Sequence, residues 1–347
     1  DSSYMKLGME IHATVLKLND FQNVYVYNAL IALYLRCGRT VKAARIFDDL
    51  NEKDNVSWNS MIAGFVQNGL YNEGMELFCE MLDAGQKPDE VSVISIIAAC
   101  GRLGKLLNGR EMHAYAIRNG FYSTLQVGSS LIDMYAKCHY IDYMVRAFNV
   151  MADRDFVSWA TIIAGYAQNN CHKEALELFH EVQVRGMEVD VMMIGSVLLA
   201  CSGLRYLPKV KEIHCYILRR GSFDLVLQNT IVDIYGECGN IDYATRMFEL
   251  IECKDVVSWT SLISSHVCVG LANEALELFY SMKETGIELD SVALVSMCSV
   301  AASLSALKKG KELHGFLIRK GFTLEGSIAS SLVDLYARCG VLENART

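Results

Sequence analysis

Apolar residues fall at helical spacing along almost the whole chain. Trp58, Met61, Ile62 and Phe65 lie at i, i+3, i+4 and i+7 and predict one apolar stripe on a helix. Ala175, Leu178, Phe179 and Val182 predict the same for a second kind of helix. The pattern returns with a period of about 100 residues. VSWNSMIAGF, VSWATIIAGY and VSWTSLISSH carry Trp58, Trp159 and Trp259, and Tyr34, Tyr135, Tyr235 and Tyr336 recur in the same way. A fixed period of this kind implies stacked supersecondary units rather than one globular core.

Aligning the period on itself divides it into three helix-turn-helix units, 24–54, 55–89 and 90–124, of 31, 35 and 35 residues. The predicted organisation is a partial long unit over 1–23, triplets at 24–124, 125–224 and 225–325, and a truncated short unit over 326–347. That makes nine complete units with a fragment at each end. The fifteenth position of a unit is Gly38, Gly69, Gly104, Gly239, Gly270 or Gly340, with Asn170 and His139 in two copies. A helix that ends in a left-handed residue favours Gly and tolerates Asn, so this position predicts a repeated C-cap. Arg205 and Ser305 occupy it in the remaining copies, where the turn is expected to be made differently. Neither helix of a unit can bury its stripe alone. Stacked antiparallel pairs can, which predicts an all-α, right-handed superhelical solenoid with the first helices on its inner face.

Composition sharpens this without changing it. Hydrophobic residues at 52% and charged residues at 21% exclude a disordered chain, and the two prolines, Pro88 and Pro208, suit a helical one. Repeat arrays grow by adding units, so the length does not require several separate cores. The uncharged stretch from Val292 to Leu307 is too short and serine-rich to span a bilayer, and no membrane segment is expected. With Asp1 in place of an initiator Met and Thr347 inside a unit, the sequence reads as a piece of a longer protein, with no signal or transit segment before the first repeat. No C-x-x-C occurs among the twelve cysteines. Cys37, Cys138, Cys238 and Cys339 share one repeat position, and Cys100 and Cys201 share another. Equivalent positions lie a full triplet apart and cannot be bridged, so small buried hydrophobes in a reducing compartment are expected, with no metal.

The units resemble those of the pentatricopeptide-repeat family, in its plant PLS subclass of alternating canonical, long and short repeats. The segments that carry the likeness are VSWNSMIAGFVQNGLYNEGMELFCEM for the canonical type, SSLIDMYAKCH for the short type and GKELHGFLIRKGF for the long type. The rival tetratricopeptide repeat has a W-x-x-L-G-x-x-Y pattern that is absent here.

The resemblance implies single-stranded RNA binding at one base per repeat, read by two or three side chains. In that reading the second residue of a unit packs on the base, and the fifth and last residues select it. The packing residues become Val56, Val157 and Val257 in canonical units and Tyr25, Gln126 and Val226 in short ones. The selecting pairs become Asn59 with Asp89, Ala160 with Asp190, Thr260 with Asp290, Asn28 with Asp54, Ser129 with Asp155, and Asn229 with Asp255. Ser330 stands fifth in the last fragment. An Asn amide offers a donor and an acceptor to a pyrimidine edge, a Ser or Thr hydroxyl leaves room for a purine, and the terminal Asp can orient the fifth side chain or a water. By the family's pairing rules the complete units read U, U, any, G, any, any, U, G, any from 5′ to 3′. Ala160 has no hydrogen bond to offer. The long units hold Ile94, Gly195 and Val295 fifth, with Thr124, Asp224 and Glu325 last, and none of these is a standard pair.

The net charge of −8 sits awkwardly with RNA, because phosphate neutralisation usually supplies much of the affinity. Arg36, Arg102, Lys137 and Arg338 at the thirteenth position form a sparse basic stripe of candidate phosphate contacts, which Glu237 interrupts. His12, His113, His214 and His314 recur mid-helix in long units without catalytic partners, so packing between units is expected, and the tryptophans read as core. No catalytic motif is present, including the H-x-E and P-C-x-x-C of zinc deaminases, and no cofactor or small-molecule substrate is implied. The resemblance implies the targeting part of an organellar cytidine-to-uridine RNA-editing factor, in a plastid ahead of a mitochondrion, with accessory editing proteins docking on the long repeats. The alternatives are a protein-interaction scaffold of tetratricopeptide type and the repeat region of a parent protein that is itself a cytidine deaminase.

Overall fold

The computed structural model describes residues 8–10, 14, 23–220, 224–287, 289–320 and 326–341, and there the chain is helix and turn with no strand. It divides into two compact units, 1–188 and 189–347. In the first, α1 (Val24–Arg36) pairs with α2 (Thr40–Asp48), α3 (Asn55–Gln67) with α4 (Tyr71–Asp83), and α5 (Glu90–Leu103) with α6 (Leu106–Arg118). A 3-10 turn at Phe121–Ser123 leads into α7 (Leu125–Lys137) with α8 (Ile141–Val150), then α9 (Phe156–Gln168) with α10 (His172–Val184). In the second, α11 (Val191–Gly203) pairs with α12 (Leu207–Arg220), α13 (Leu225–Glu237) with α14 (Ile241–Glu249), and α15 (Val256–Cys268) with α16 (Ala272–Glu284). There α17 (Ser291–Ser303) pairs with α18 (Leu307–Lys320), and α19 (Ser327–Arg338) follows. The architecture is an all-α solenoid of helical hairpins.

Within each unit the first helices of successive hairpins pack side by side: α1, α3, α5, α7 and α9 in one, α11, α13, α15, α17 and α19 in the other. Their apolar stripes are the core. Met61, Ile62, Ile162, Ile163, Leu262 and Ile263 are almost wholly buried, as are Ala175, Phe179 and Val182 on the second helices. The tryptophans belong to this core and meet the preceding hairpin edge-on. Phe47 lies 5.0 Å from Trp58, Phe148 5.1 Å from Trp159 and Phe248 4.8 Å from Trp259, ring centroid to centroid. Edge-to-face pairs in this range add roughly 0.5–1.5 kcal/mol beyond area burial.

The long-unit histidines also join hairpins. His113 Nδ1 lies 2.8 Å from Tyr135 Oη, His214 Nδ1 3.0 Å from Tyr235 Oη and His314 Nδ1 2.9 Å from Tyr336 Oη. His12 lies outside the described residues. Burial lowers the affinity of His113 and His214 for a proton, which suits an imidazole that pairs with a phenol rather than a carboxylate.

Two sequence expectations are corrected. Arg205 and Ser305 do not turn differently. Their φ angles of 50° and 48° are left-handed like the 67° of Gly38, the 62° of His139 and the 60° of Asn170. The same paired bonds close the helix end: Tyr206 N to Cys201 O at 2.9 Å and Ala306 N to Ala301 O at 3.0 Å, matching Arg39 N to Tyr34 O at 2.8 Å. A left-handed L residue costs on the order of 1–2 kcal/mol, which the packed hairpin outweighs. The cysteines are not uniformly buried hydrophobes either. Cys100, Cys138, Cys201 and Cys298 are buried, but Cys37, Cys79, Cys215, Cys253 and Cys268 are exposed. Cys37 and Cys138 occupy the same position with opposite burial, because that residue caps the first helix at the edge of the stripe, where the neighbouring hairpin decides its cover.

Candidate nucleic-acid interface

The last residue of nearly every hairpin is the N-cap of the next first helix. Asp54 accepts from Ser57 N at 2.8 Å, Asp155 from Ser158 N at 2.9 Å and Asp255 from Ser258 N at 2.8 Å. Asp190, Asp224 and Asp290 do the same for Met193, Leu227 and Ala293. Thr124 caps α7 through its hydroxyl, and Glu325 lies outside the described residues. An Asp here satisfies otherwise orphaned N–H groups, a structural role that needs no ligand.

In the three Asn hairpins the same carboxylate has a second partner. Asn28 Nδ2 donates to Asp54 Oδ1 at 3.2 Å, Asn59 Nδ2 to Asp89 Oδ2 at 2.6 Å and Asn229 Nδ2 to Asp255 Oδ1 at 3.1 Å. A carboxylate only accepts, so this contact also fixes which way each amide faces. The Oδ1 atoms of Asn28, Asn59 and Asn229 are left buried without a hydrogen-bond partner. An unpaired buried acceptor costs on the order of 1–3 kcal/mol, so a donor brought by a ligand would be favoured there. Burial by itself would raise the Asp54 and Asp255 carboxyls. The bonds from Ser57 and Asn28, and from Ser258 and Asn229, outweigh it and hold both below the ordinary carboxylate value.

The hydroxyl hairpins differ. Ser129 Oγ lies 3.3 Å from Ser158 Oγ, which in turn donates to Asp155 at 2.7 Å, so fifth and last residues are linked through a serine. Thr260 Oγ1 turns back to the carbonyls of Val256 and Val257, both at 3.0 Å, and Ser330 does so to Gly326 at 3.1 Å. Ala160 sits on α9 and has no side-chain polar atom. Orientation of the fifth residue by the terminal Asp is therefore a property of the Asn hairpins. The third-position serines Ser57, Ser158 and Ser258 are wholly buried and tie the cap together, a role that sequence reasoning missed although the repeated VSW carried its signal.

The predicted packing residues Tyr25, Val56, Gln126, Val157, Val226 and Val257 are all exposed, Tyr25 to 83%. Their long-unit equivalents Val91, Met192 and Val292 are exposed too, so the apolar second position runs through every hairpin type. At the hairpin beginning with Leu225 the predicted group converges. Val226, Asn229, Asp255 and Val257 line one cleft of about 330 Å³. Of the basic candidates, Arg36 and Arg102 are exposed in the last turns of α1 and α5, while Lys137 and Arg338 are engaged by Asp133 and Asp334 one turn earlier.

A second kind of surface lies between the second helices of canonical and long hairpins. Met75, Phe78, Met112 and Tyr115 line an apolar cleft between α4 and α6. Their equivalents Leu276, Phe279, Leu313 and Phe316 line another between α16 and α18. Among the described residues no group of His, Cys, Asp and Glu could hold a metal ion, and no helix is long and apolar enough to cross a membrane.

Comparison with known proteins gives a consistent result. The description "PPR repeat" matches residues 25–55, 157–187 and 257–287, and "PPR repeat family" matches 53–102. A chloroplastic pentatricopeptide repeat-containing protein of Arabidopsis thaliana is 58% identical over 99% of this chain and 36% of its own length. A mitochondrial one from the same plant is 33% identical over 98% of this chain and 49% of its length. The chain thus spans between about a third and a half of these relatives. The fold matches the pentatricopeptide repeat protein PPR10 from maize with a TM-score of 0.69 at 19% identity, over 97% of this chain and 55% of that one. PPR10 in complex with an 18-nt psaJ RNA element matches at 0.72, again at 19% identity, over 97% of this chain and 56% of that one.

Proposed function

This chain is a pentatricopeptide-repeat protein, and we propose that it binds single-stranded RNA in a sequence-specific way, one base per hairpin. The observation that carries this reading is the convergence of Val226, Asn229, Asp255 and Val257 on one cleft. Two exposed apolar side chains from successive first helices can hold the faces of a base. The same cleft is lined by an amide that a carboxylate orients and whose buried oxygen has no partner. Uracil offers an N3–H to such an oxygen, whereas cytosine offers only an acceptor at that atom, so the Asn hairpins favour uracil. At Ser129 and Thr260 the hydroxyl is drawn toward the protein, which leaves room for a purine, and guanine is the proposed base. The PPR10 complex with RNA is consistent with this use of the fold.

In this proposal the alternation of unit lengths makes the chain a PLS array, the targeting part of an organellar cytidine-to-uridine editing factor. The name of the chloroplastic relative supports a plastid. The apolar clefts between canonical and long second helices are the proposed seats of accessory editing proteins, and they also favour the alternative of a pure protein scaffold. The two readings separate in a binding selection from random RNA at a stated salt concentration. Enrichment of U, U, any, G over the first hairpins supports the RNA reading, and recovery of unselected sequence supports the scaffold.

A further inference from the structure

The hairpin that begins with Leu225 departs from its siblings in charge. In α7 Lys137 forms an ion pair with Asp133, and in α19 Arg338 forms one with Asp334 at 2.9 Å. The equivalent residues of α13 are Glu237 and Asp233, so two acids stand where α7 and α19 carry an ion pair and α1 carries Ala32 and Arg36. Glu237 accepts a hydrogen bond from Ser202 Oγ of α11. Asp233 lines the same cleft as Val226, Asn229, Asp255 and Val257, with Thr230 and Ser261 beside it.

Among the described residues the surrounding elements bring it no cation: Arg205, in the turn after α11, lies near the Cys238 thiol, and Lys209 of α12 pairs with Glu212 at 2.8 Å. From α15 comes Ser261, and the one imidazole of that helix, His266, is buried against the Leu262 carbonyl at 2.9 Å. From α12, His214 pairs with Tyr235 and Lys211 lies 4.3 Å from the Tyr243 ring centroid. Arg246 of α14 lies over the same ring, at 6.0 Å. Burial first, and the Glu237 carboxylate second, push the Asp233 carboxyl up to about 6.

We propose that Asp233 is a further determinant of binding at this hairpin: its carboxyl must be neutral for a nucleotide to occupy the cleft, so RNA binding here takes up one proton. The inference rests on the RNA-binding reading above. A nucleotide displaces water from the cleft and brings a phosphate charge close to Asp233, Glu237 and Asp255, and each effect favours the neutral acid. Once protonated, the carboxyl can donate its O–H to a base carbonyl or a phosphate oxygen that the carboxylate would repel. Its siblings Asp133 and Asp334, each beside a cation, have no such requirement.

The test is the affinity for the RNA UUAGAAUGA, measured from pH 5.5 to 8 at fixed salt for the unaltered chain and for three variants. One proton taken up by one group limits the loss to about tenfold per pH unit. The unaltered chain is expected to approach that between pH 6 and 7.5, beyond whatever slope its histidines impose. Asp233→Asn is expected to bind several-fold more tightly at pH 7.5 and to lose the extra slope. Glu237→Lys, which restores the arrangement of α7 and α19, is expected to flatten the pH profile. Asp133→Asn is expected to keep the original pH slope. Equal pH slopes for the unaltered chain and Asp233→Asn would overturn the inference while leaving the RNA reading intact. Failure of every protein to bind this RNA at any pH overturns the reading beneath it, and the inference with it.

Discussion

Asn59 Nδ2 donates to Asp89 Oδ2 across 2.6 Å, joining the middle of one first helix to the N-cap of the next. The carboxylate of Asp89 meanwhile accepts from Val91 N at 3.0 Å and Ser92 N at 3.2 Å. One side chain thus ends one unit, starts another and orients the candidate reader. With Asn59 as the proposed reader, stability and selectivity would be coupled at this residue.

That coupling can be measured. Asp89→Ala removes a cap, worth about 1 kcal/mol, and leaves the buried Asn59 amide without its acceptor, at a cost of about 1–3 kcal/mol more. Asp290→Ala should lose only the cap, because Thr260 bonds its own helix instead. Urea unfolding of the two variants is expected to show Asp89→Ala as the more destabilised. Equal losses would mean that the Asn–Asp bond contributes nothing to folding.

Arg205 and Ser305 sit at φ of 50° and 48° where most siblings have Gly. Replacing either with Gly relieves about 1–2 kcal/mol of left-handed strain and adds about 0.5–1 kcal/mol of chain entropy loss on folding. Both variants are expected to be stabilised by up to about 1 kcal/mol. Thermal midpoints check this, and a lowered midpoint would locate the strain elsewhere.

These positions also mark what the sequence could tell. The hairpins, their caps and the tryptophan core were legible because period and stripe report backbone geometry, and every copy obeys the same geometry. The left-handed turn at Arg205 and Ser305 was misjudged from residue preference, since propensity is overridden once neighbouring hairpins are packed. The exposure of Cys37 against the burial of Cys138 was hidden for a related reason. Cover depends on the hairpin packed against it, as where Cys138 Sγ lies 4.0 Å from the Cys100 carbonyl of the preceding hairpin, and not on the residue's own place in the repeat. In the candidate site, the Asn–Asp pairs were anticipated from the family resemblance. The Ser158 link and the inward turn of Thr260 depend on hydroxyl rotamers that no spacing encodes.

Acid should weaken the hairpin junctions. Burial holds His113 and His214 below their ordinary 6.5, so between the lowered value and 6.5 the unfolded chain binds more protons than the folded one. Their contribution is present above about pH 6.5 and is lost as pH falls through that range. His113→Gln is expected to flatten the dependence of the urea midpoint on pH between 7 and 5.5. An unaltered slope would show that His113 titrates freely.

Salt dependence should sort the basic stripe. Arg36 and Arg102 are exposed, whereas Lys137 and Arg338 are held by Asp133 and Asp334. If phosphates contact the stripe, Arg36→Ala and Arg102→Ala should each lower the slope of log affinity against log salt by about 0.7, for all RNA sequences alike. Lys137→Ala should change it less. Unchanged slopes for Arg36→Ala and Arg102→Ala would place both residues in bulk solvent.

The central claim is one base per hairpin with Asn59 as reader, and the most direct test is competition between RNAs that differ only at the nucleotide facing it. In Asn59→Thr the hydroxyl is expected to bond its own helix, as Thr260 does, while Val56 stays exposed to pack on the base. Preference at that nucleotide should move from uracil toward guanine by a several-fold factor, on the order of 1 kcal/mol. Preferences at the neighbouring nucleotides should hold. Retention of the original uracil preference by Asn59→Thr would contradict the account, because neither Asn59 as reader nor the proposed register could then stand.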